Sequence, residues 1–252
     1  MTYELNTQQI INWFPVADVK DLKDRTIYHS QLNDLELAIW ASDDGEINVW
    51  ENRCVHRGVR LTIGSHLGDR LKCRYHGWEY ANKSGGCEFL PANRTLNGHP
   101  TAKIKQYPYF IYANKIWVNT KDEVQVPNIN NFQQVSCDNR PIFKKQVFHY
   151  NGEQTLEILL DSFSEKNDDW VIKSLDLNHK VLRISKEDKS LLVFPQVVST
   201  YKTYLHTAYE EGDISIEDLI DLDLKMSNLD GHEHQLDEHT FTVSLLDLRK
   251  RK

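Results

Sequence analysis

Cys54-Val-His56-Arg57-Gly58 and, further on, Cys73-Arg-Tyr75-His76-Gly77-Trp78 decide how this chain is read. Sixteen residues separate His56 from Cys73. Each short cluster holds one Cys and one His, spaced Cys-x-His in the first and Cys-x-x-His in the second. Two metal chemistries use two thiolates and two imidazoles. One is a tetrahedral Zn²⁺ site. The other is a binuclear iron–sulfur group, with both thiolates on one iron and both imidazoles on the other. In that second arrangement each loop must reach both irons. Gly58 and Gly77 stand where a tight loop needs backbone freedom that a side chain restricts. The residues alone leave both chemistries open, and chance co-occurrence with them.

The longer stretch Asn52-Arg53-Cys54-Val55-His56-Arg57-Gly58-Val59-Arg60-Leu61, together with Cys73–Trp78, resembles the two cluster loops of Rieske non-haem iron oxygenases. The resemblance implies a Rieske-type [2Fe–2S] cluster held by Cys54, His56, Cys73 and His76. In it His56 and His76 would ligate the outer iron, with Tyr75 and Trp78 packed over the cluster. Rieske proteins of respiratory and photosynthetic complexes carry an extra Cys in each loop, joined as a disulfide. The matching positions here are Val59 and Tyr75. Those proteins also carry a membrane helix, and no apolar run here nears the ~20 residues a span needs. The resemblance therefore points to the oxygenase or soluble-ferredoxin branch. Trp13-Phe14-Pro15-Val16-Ala17 resembles the entry segment of oxygenase large subunits; its plain reading is an aromatic core contact with a Pro-terminated turn. Gly86-Cys87-Glu-Phe-Leu90-Pro91-Ala92 resembles the stretch that closes such domains, which leaves Cys87 outside the cluster.

Composition sets bounds. A chain of 252 residues with 40% hydrophobic and 27% charged residues has room for one or two globular domains with sizeable cores. A formal net charge of −7 argues against a nucleic-acid partner. The basic run Arg249–Lys252 reads as a solvated tail. Met1–Ile11 is polar and lacks the apolar stretch of a secretory leader. Cys87 and Cys137 read as free thiols in a reducing compartment, so the expected location is cytoplasmic, without a membrane anchor.

The expected fold is mainly β plus α+β, in an organisation 1–120, 121–145 and 146–252. Residues 1–120 would be an all-β Rieske domain with its entry segment. Leu35–Trp40 and Ile47–Trp50 read as a hairpin around Asp43-Asp44-Gly45. Trp78–Tyr80 leaves the second loop as a strand, and Lys83–Gly86 turns the chain. Tyr107–Tyr112 pairs with Lys115–Asn119 around Ala113-Asn114. Residues 121–145, with Pro127 and the Asn-rich run from Asn128 to Asn131, read as a linker or crossover. Residues 146–252 resemble a shortened helix-grip catalytic domain. Thr155–Phe163 has apolar residues at helical spacing. Val181–Ser185, Leu191–Val198 and Thr200–Tyr209 read as strands, and Ser215-Ile-Glu-Asp218 as a capping box opening a helix through Met226. Phe241–Leu248 reads as a last strand.

In the family's catalytic domain one Fe(II) is held by two His and a carboxylate, two of them from Asp-x-x-His-x-x-x-x-His. The matching stretch here is Leu156–Asp169. Asp161 takes the place of the Asp that bridges between subunits, but Ser164 and Asp169 stand where the two His should be. A solvated helix face is the plain reading of the same three residues. His232, His234 and His239, near Asp230, Glu233 and Asp237, read as a polar surface loop rather than a metal site. His149, His179 and His206 read as isolated structural or surface residues. The expected function is an electron-transfer component of an oxidoreductase system. It would take electrons from a flavin- or ferredoxin-type reductase and pass them to a mononuclear iron on a catalytic partner subunit. A trimeric or hetero-oligomeric complex would bring the two together. A complete oxygenase with an unrecognised iron site, acting on a small organic substrate, is the alternative reading. A non-redox structural or binding subunit is the third.

Overall fold

The structure, a computed structural model, describes residues 12–92, 99–121, 124–127, 146–163, 169–176 and 181–229. Cys137, Ser164, His179, the His232–His239 loop and Phe241–Leu248 lie outside them. Every strand pairing among the described residues is antiparallel, in four sheets. The fold is mostly β, and among the described residues the α-helices lie in the second half, as the sequence implied.

β1 (Phe14–Asp18) joins β11 (Lys115–Val118), which pairs in turn with β10 (Tyr109–Tyr112). The sequence suggested a turn at Pro15. Instead the strand runs through it, on the sheet's outer edge and beside a bulge, where a missing backbone donor is tolerated. The expected aromatic contact is present: Trp13 packs edge-on against Phe110 at 5.0 Å between centroids. A buried ion pair between Lys115 and Asp18 fastens the same strands.

β2 (Tyr28–Leu32), β3 (Leu35–Ala41) and β4 (Ile47–Glu51) form the second sheet. The Asp43-Asp44-Gly45 turn closes as expected, with the Gly45 amide donating to the Ser42 carbonyl at 2.8 Å. The third sheet runs β5 (Ser65–His66), β6 (Arg70–Lys72), β7 (Glu79–Ala81), β8 (Gly86–Phe89) and β9 (His99–Lys103). Between these two sheets lies a core of Trp40, Trp50, Leu61, Leu71, Tyr80 and Ile104, with Cys54, Cys73 and Cys87 packed into it. Trp40 and Trp50 meet edge to face at 5.0 Å.

The two Cys–His clusters are turns of one design. In the first, the Cys54 amide donates to the Val59 carbonyl at 2.8 Å and the Gly58 amide donates back to the Cys54 carbonyl at 2.7 Å. In the second, the Cys73 amide donates to the Trp78 carbonyl at 2.8 Å and the Gly77 amide to the Cys73 carbonyl at 3.0 Å. Both glycines have positive φ, 69° and 71°. Two net hydrogen bonds contribute about 1–3 kcal/mol. A side chain forced into that conformation costs about 1–2 kcal/mol and would cancel most of it.

The second half is a sheet of β12 (Gln146–Phe148), β16 (Lys202–Glu211), β15 (Lys189–Ser199), β14 (Val181–Lys186) and β13 (Val171–Asp176). β12 and β13 were not anticipated. α1 (Gly152–Ser162) starts one turn earlier than its apolar stripe suggests, because Asn151 accepts from the Glu153 and Gln154 amides at 3.0 and 2.9 Å. α2 (Ile216–Leu229) opens on the expected cap, with the Asp218 amide donating to Ser215 Oγ at 3.1 Å. The inner sides of both helices, including Leu159, Phe163, Leu222 and Met226, close over the sheet with Trp170, Leu182 and Ile184.

The halves share a core. Trp13, Phe110 and Trp117 from the first pack with Val181, Leu192 and Phe194 from the second. Beside it the Asn33 and Asp34 amides donate to the Val197 and Val198 carbonyls, both at 2.9 Å. Fully buried Gln196 donates to Ser30 Oγ at 3.0 Å and to the Gln31 carbonyl at 2.8 Å. Its Oε1 lies 2.7 Å from His206 Nε2.

Gln196→Leu leaves those partners buried without their bonds. Chemical denaturation is expected to register a loss of about 2–3 kcal/mol, and a loss under about 0.5 kcal/mol would refute the role given to this residue. At the turns, an added Cβ on Gly77 lies 2.9 Å from Pro91 Cγ, whereas one on Gly58 meets nothing within 4 Å. Gly58→Ala is therefore expected to cost about 1–2 kcal/mol. Gly77→Ala is expected to cost about 1–2 kcal/mol more. Equal costs would refute the close packing of Pro91 on the second turn.

Candidate metal centre

The turns lift four side chains to one end of the first half. Cys54 and Cys73 are buried at the floor, 3% and 2% exposed. His56 is half-buried and His76 exposed at the rim. The imidazoles face each other, with Nδ1 of His76 and Nδ1 of His56 3.1 Å apart. The sequence chose these four residues from types and spacing, and the fold brings them to one place as a thiol pair beneath an imidazole pair. Among the described residues no three His, Cys, Asp or Glu side chains are grouped to hold a single ion.

The surroundings set protonation. Burial pushes the Cys73 thiol up, while the backbone groups of Tyr75 and His76 pull it back. Burial, then His76 and then Arg57, holds His56 below the usual histidine range. Metal ligation uses deprotonated thiols and neutral imidazoles. Trp78 lies flat against His56, with centroids 4.5 Å apart and planes within 3°. Trp78 also stacks with His99 at 5.9 Å. Tyr75 tilts against His76 at 3.8 Å but remains 61% exposed. The rings expected to cover the centre thus divide between a fixed stack and an exposed rim.

Two contributors escaped the sequence. Buried Tyr80 places its hydroxyl 3.0 Å from Cys54 Sγ. Burial, and then Cys54, pushes the phenol far above its ordinary range, so it remains a donor. Strand register carried a signal for it: Tyr80 stands opposite Leu71, two residues from Cys73 and so on the same face. The second is Glu36. Its carboxylate pairs with Arg53 at 2.9 Å and with Arg60 through two nitrogens, which brackets the first turn. The Arg60 hydrogen bond holds Glu36 below the usual carboxylate range. Arg53 also donates to the Gly58 carbonyl at 3.2 Å.

The remaining candidates lie apart from this centre. Asp161 is on the exposed side of α1, and Asp169, with its side chain 78% exposed, pairs with Lys186 at 3.3 Å. His149 is exposed and His206 buried in the Gln196 network. Cys87 is buried beneath the centre, and burial pushes its thiol up. No helix among the described residues is long and apolar enough to cross a membrane.

A profile of the Rieske [2Fe-2S] domain matches residues 12–108. The oxidoreductase NdmD of Pseudomonas putida is 42% identical over 113 residues, which are 45% of this chain and 19% of NdmD. The chain thus aligns with about a fifth of that relative's length. Among solved structures, NdmA of Pseudomonas putida CBB5 with caffeine superposes with a TM-score of 0.67 at 17% identity, over 93% of this chain and 87% of NdmA. An oxygenase–ferredoxin complex of carbazole 1,9a-dioxygenase superposes with a TM-score of 0.62 at 14% identity, over 86% of this chain and 75% of the other. At such identities the superpositions speak for the fold alone. Residues 12–108 are a Rieske [2Fe–2S] domain homologous to those of Rieske non-haem iron oxygenases, and over 93% of its length the chain shares the fold of NdmA.

Proposed function

We propose that this chain is the electron-transfer component of a Rieske oxygenase system, with Cys54 and Cys73 holding one iron and His56 and His76 the other. The observation that carries the reading is the sorting of donors by depth: two thiols in the apolar floor and two imidazoles, Nδ1 to Nδ1, at the solvent rim. The donor set fits the cofactor, since one iron of such a cluster takes thiolates and the other imidazoles. When bound, the [2Fe–2S] group supplies one-electron storage and release. The chain's own residues do the rest. The Trp40–Trp50 core keeps water from the thiols. The Tyr80 hydroxyl, 3.0 Å from Cys54 Sγ, would donate to the thiolate when the cluster is bound, and Trp78 fixes the ring plane of His56. His76, exposed, presents an imidazole edge to a partner.

In this reading electrons come from a flavin- or ferredoxin-type reductase and leave for a mononuclear iron on a catalytic partner subunit, in a trimeric or hetero-oligomeric assembly. The division into 1–120, 121–145 and 146–252 belongs to the same proposal; the tip with its three small sheets and the helix-covered sheet support it. The complete oxygenase is the second reading, favoured by the fold shared with NdmA over most of the chain. Against it, the side of α1 that faces the sheet carries Leu156, Ile158 and Leu159 in a closed apolar core, and Asp161 points to solvent.

Iron and acid-labile sulfide counted on anaerobically purified protein test the choice. About two irons and two sulfides per chain are expected, with a Rieske-type EPR signal after reduction. A third iron would transfer the assignment to the complete oxygenase. Cys73→Ala and His56→Ala are each expected to abolish the signal, and its survival in either variant would refute the ligand set.

A further inference from the structure

We propose that the groove between β2 and the second-half sheet is a binding site for a small aromatic carboxylate, held across the junction of the two halves. The cavity is about 400 Å³. Sites for small organic molecules span about 300–1,000 Å³ and favour junctions between packed units. One wall is β2, with Tyr28 and His29. The other is the sheet, with Val147 from β12, Val198 from β15, and Lys202 and Tyr204 from β16. Neither half forms the groove alone. Its β2 wall is fixed in advance, because Gln196 bonds both Ser30 and the Gln31 carbonyl, the next residues of that strand. A wall already ordered costs little further entropy when a ligand enters.

The lining is chemically divided. Two tyrosine rings and two valines suit a flat apolar body. Lys202 supplies the charge. Its ammonium lies over the Tyr204 ring, 5.0 Å from the centroid, and pairs with no carboxylate among the described residues. The chain is acidic, with 37 Asp and Glu against 30 Lys and Arg, so a lysine held on a ring without a carboxylate stands out. His29 adds a second polar group. Its neighbour Glu36, 4.0 Å away, is already engaged by Arg53 and Arg60. The Tyr28 side is different. Burial, then Asp21 and Asp18, pushes its phenol far above the ordinary range, so the ring stays neutral. Those two carboxylates disfavour a second anionic group there. A flat ring with one carboxylate, paired with Lys202, matches this pattern, and a dianion does not.

The test is calorimetric titration of the purified full chain with naphthoate. Naphthamide keeps the rings and loses the charge; acetate keeps the charge and loses the rings. Naphthoate is expected to bind with a Kd of about 1 mM or tighter. Naphthamide and acetate should each bind at least about threefold more weakly. Lys202→Gln should weaken naphthoate about three- to tenfold and remove its advantage over naphthamide. Lys105→Gln removes a cation that also lies over a tyrosine ring, 5.4 Å from the centroid of Tyr107, but outside the groove; it should leave binding unaltered. Should Lys202→Gln fail to fold, Val147→Glu, at a position 36% exposed in the same groove, should abolish naphthoate binding through bulk and like charge. Several results would overturn the proposal: no binding of naphthoate, equal binding of naphthamide or acetate, equal weakening by Lys105→Gln, or an affinity that Lys202→Gln leaves unchanged. The site is independent of the cluster, so absent binding with a normal EPR signal would overturn this inference and leave the relay reading standing.

Discussion

A cysteine amide reaches forward five residues to a carbonyl, and a glycine amide reaches back to the same cysteine; both turns at the tip are closed this way. The consequences spread outward. The closure fixes each cysteine's backbone, so both thiols enter the core between the Trp40 and Tyr80 sheets. It also carries the chain over the top, where the histidines stand. The histidine sits two residues after its cysteine in one turn and three in the other, so matched backbones present unmatched side chains. With that offset the two imidazoles meet from opposite turns, Nδ1 facing Nδ1 at 3.1 Å.

The two turns are held by different forces. The second is pressed from outside by Pro91 against Gly77 and runs straight into β7, so sheet and packing hold it. The first leads into a short 3-10 turn at Leu61–Ile63 and depends more on side chains. Glu36 grips Arg53 before the turn and Arg60 after it, and Asn52 receives the Thr62 amide at 2.9 Å. Exposed ion pairs contribute little singly, about 0–1 kcal/mol. A half-buried carboxylate shared between two guanidinium groups is pre-organised, and its role is orientation more than stability. The arrangement also leaves an electrostatic residue: Glu36 engages the cations flanking the turn and leaves those at its crest to solvent.

What could be read from the sequence follows the range of the interaction. The grouping of Cys54, His56, Cys73 and His76 was legible because four residues of two scarce ligand types fell at short spacings, with a glycine closing each cluster. The β3–β4 hairpin was legible through its Asp-Gly turn, and α2 through Ser215 and Asp218, whose cap spans three residues. Partners set by folding were harder to see. Glu36 is remote in sequence from Arg53, and Tyr80 from Cys54, and neither pair has a spacing rule; the pairing of β3 with β4 brings the first together, and the packing of two sheets brings the second. β1 was read as a turn because Pro15 is a poor strand residue away from an edge, and the edge position was set by β11, a hundred residues on. β12 has only three residues and β13 carries Lys, Ser and Asp, so their pairing comes from β16 and β14 rather than from their own pattern.

The second half gives the tip a fixed mount. Its sheet and helices close on a filled apolar core, and the contact with the first half combines two kinds of force. Trp117 against Phe194 and its neighbours supply area, and apolar contact is non-directional, so by itself it would tolerate sliding. The bonds from Gln196 to Ser30 and Gln31, and from Asn33 and Asp34 to β15, are directional and satisfied in one register only. They run through the β2–β3 hairpin, and Glu36 is the second residue of β3. The hairpin that docks on the second-half sheet is therefore the hairpin that clamps the first turn. Gln196 bonds Gln31, Gln31 pairs with Glu36 across the hairpin, and Glu36 pairs with Arg53, so the orientation of the His56 turn is referred to the second half by directional contacts rather than left to packing alone.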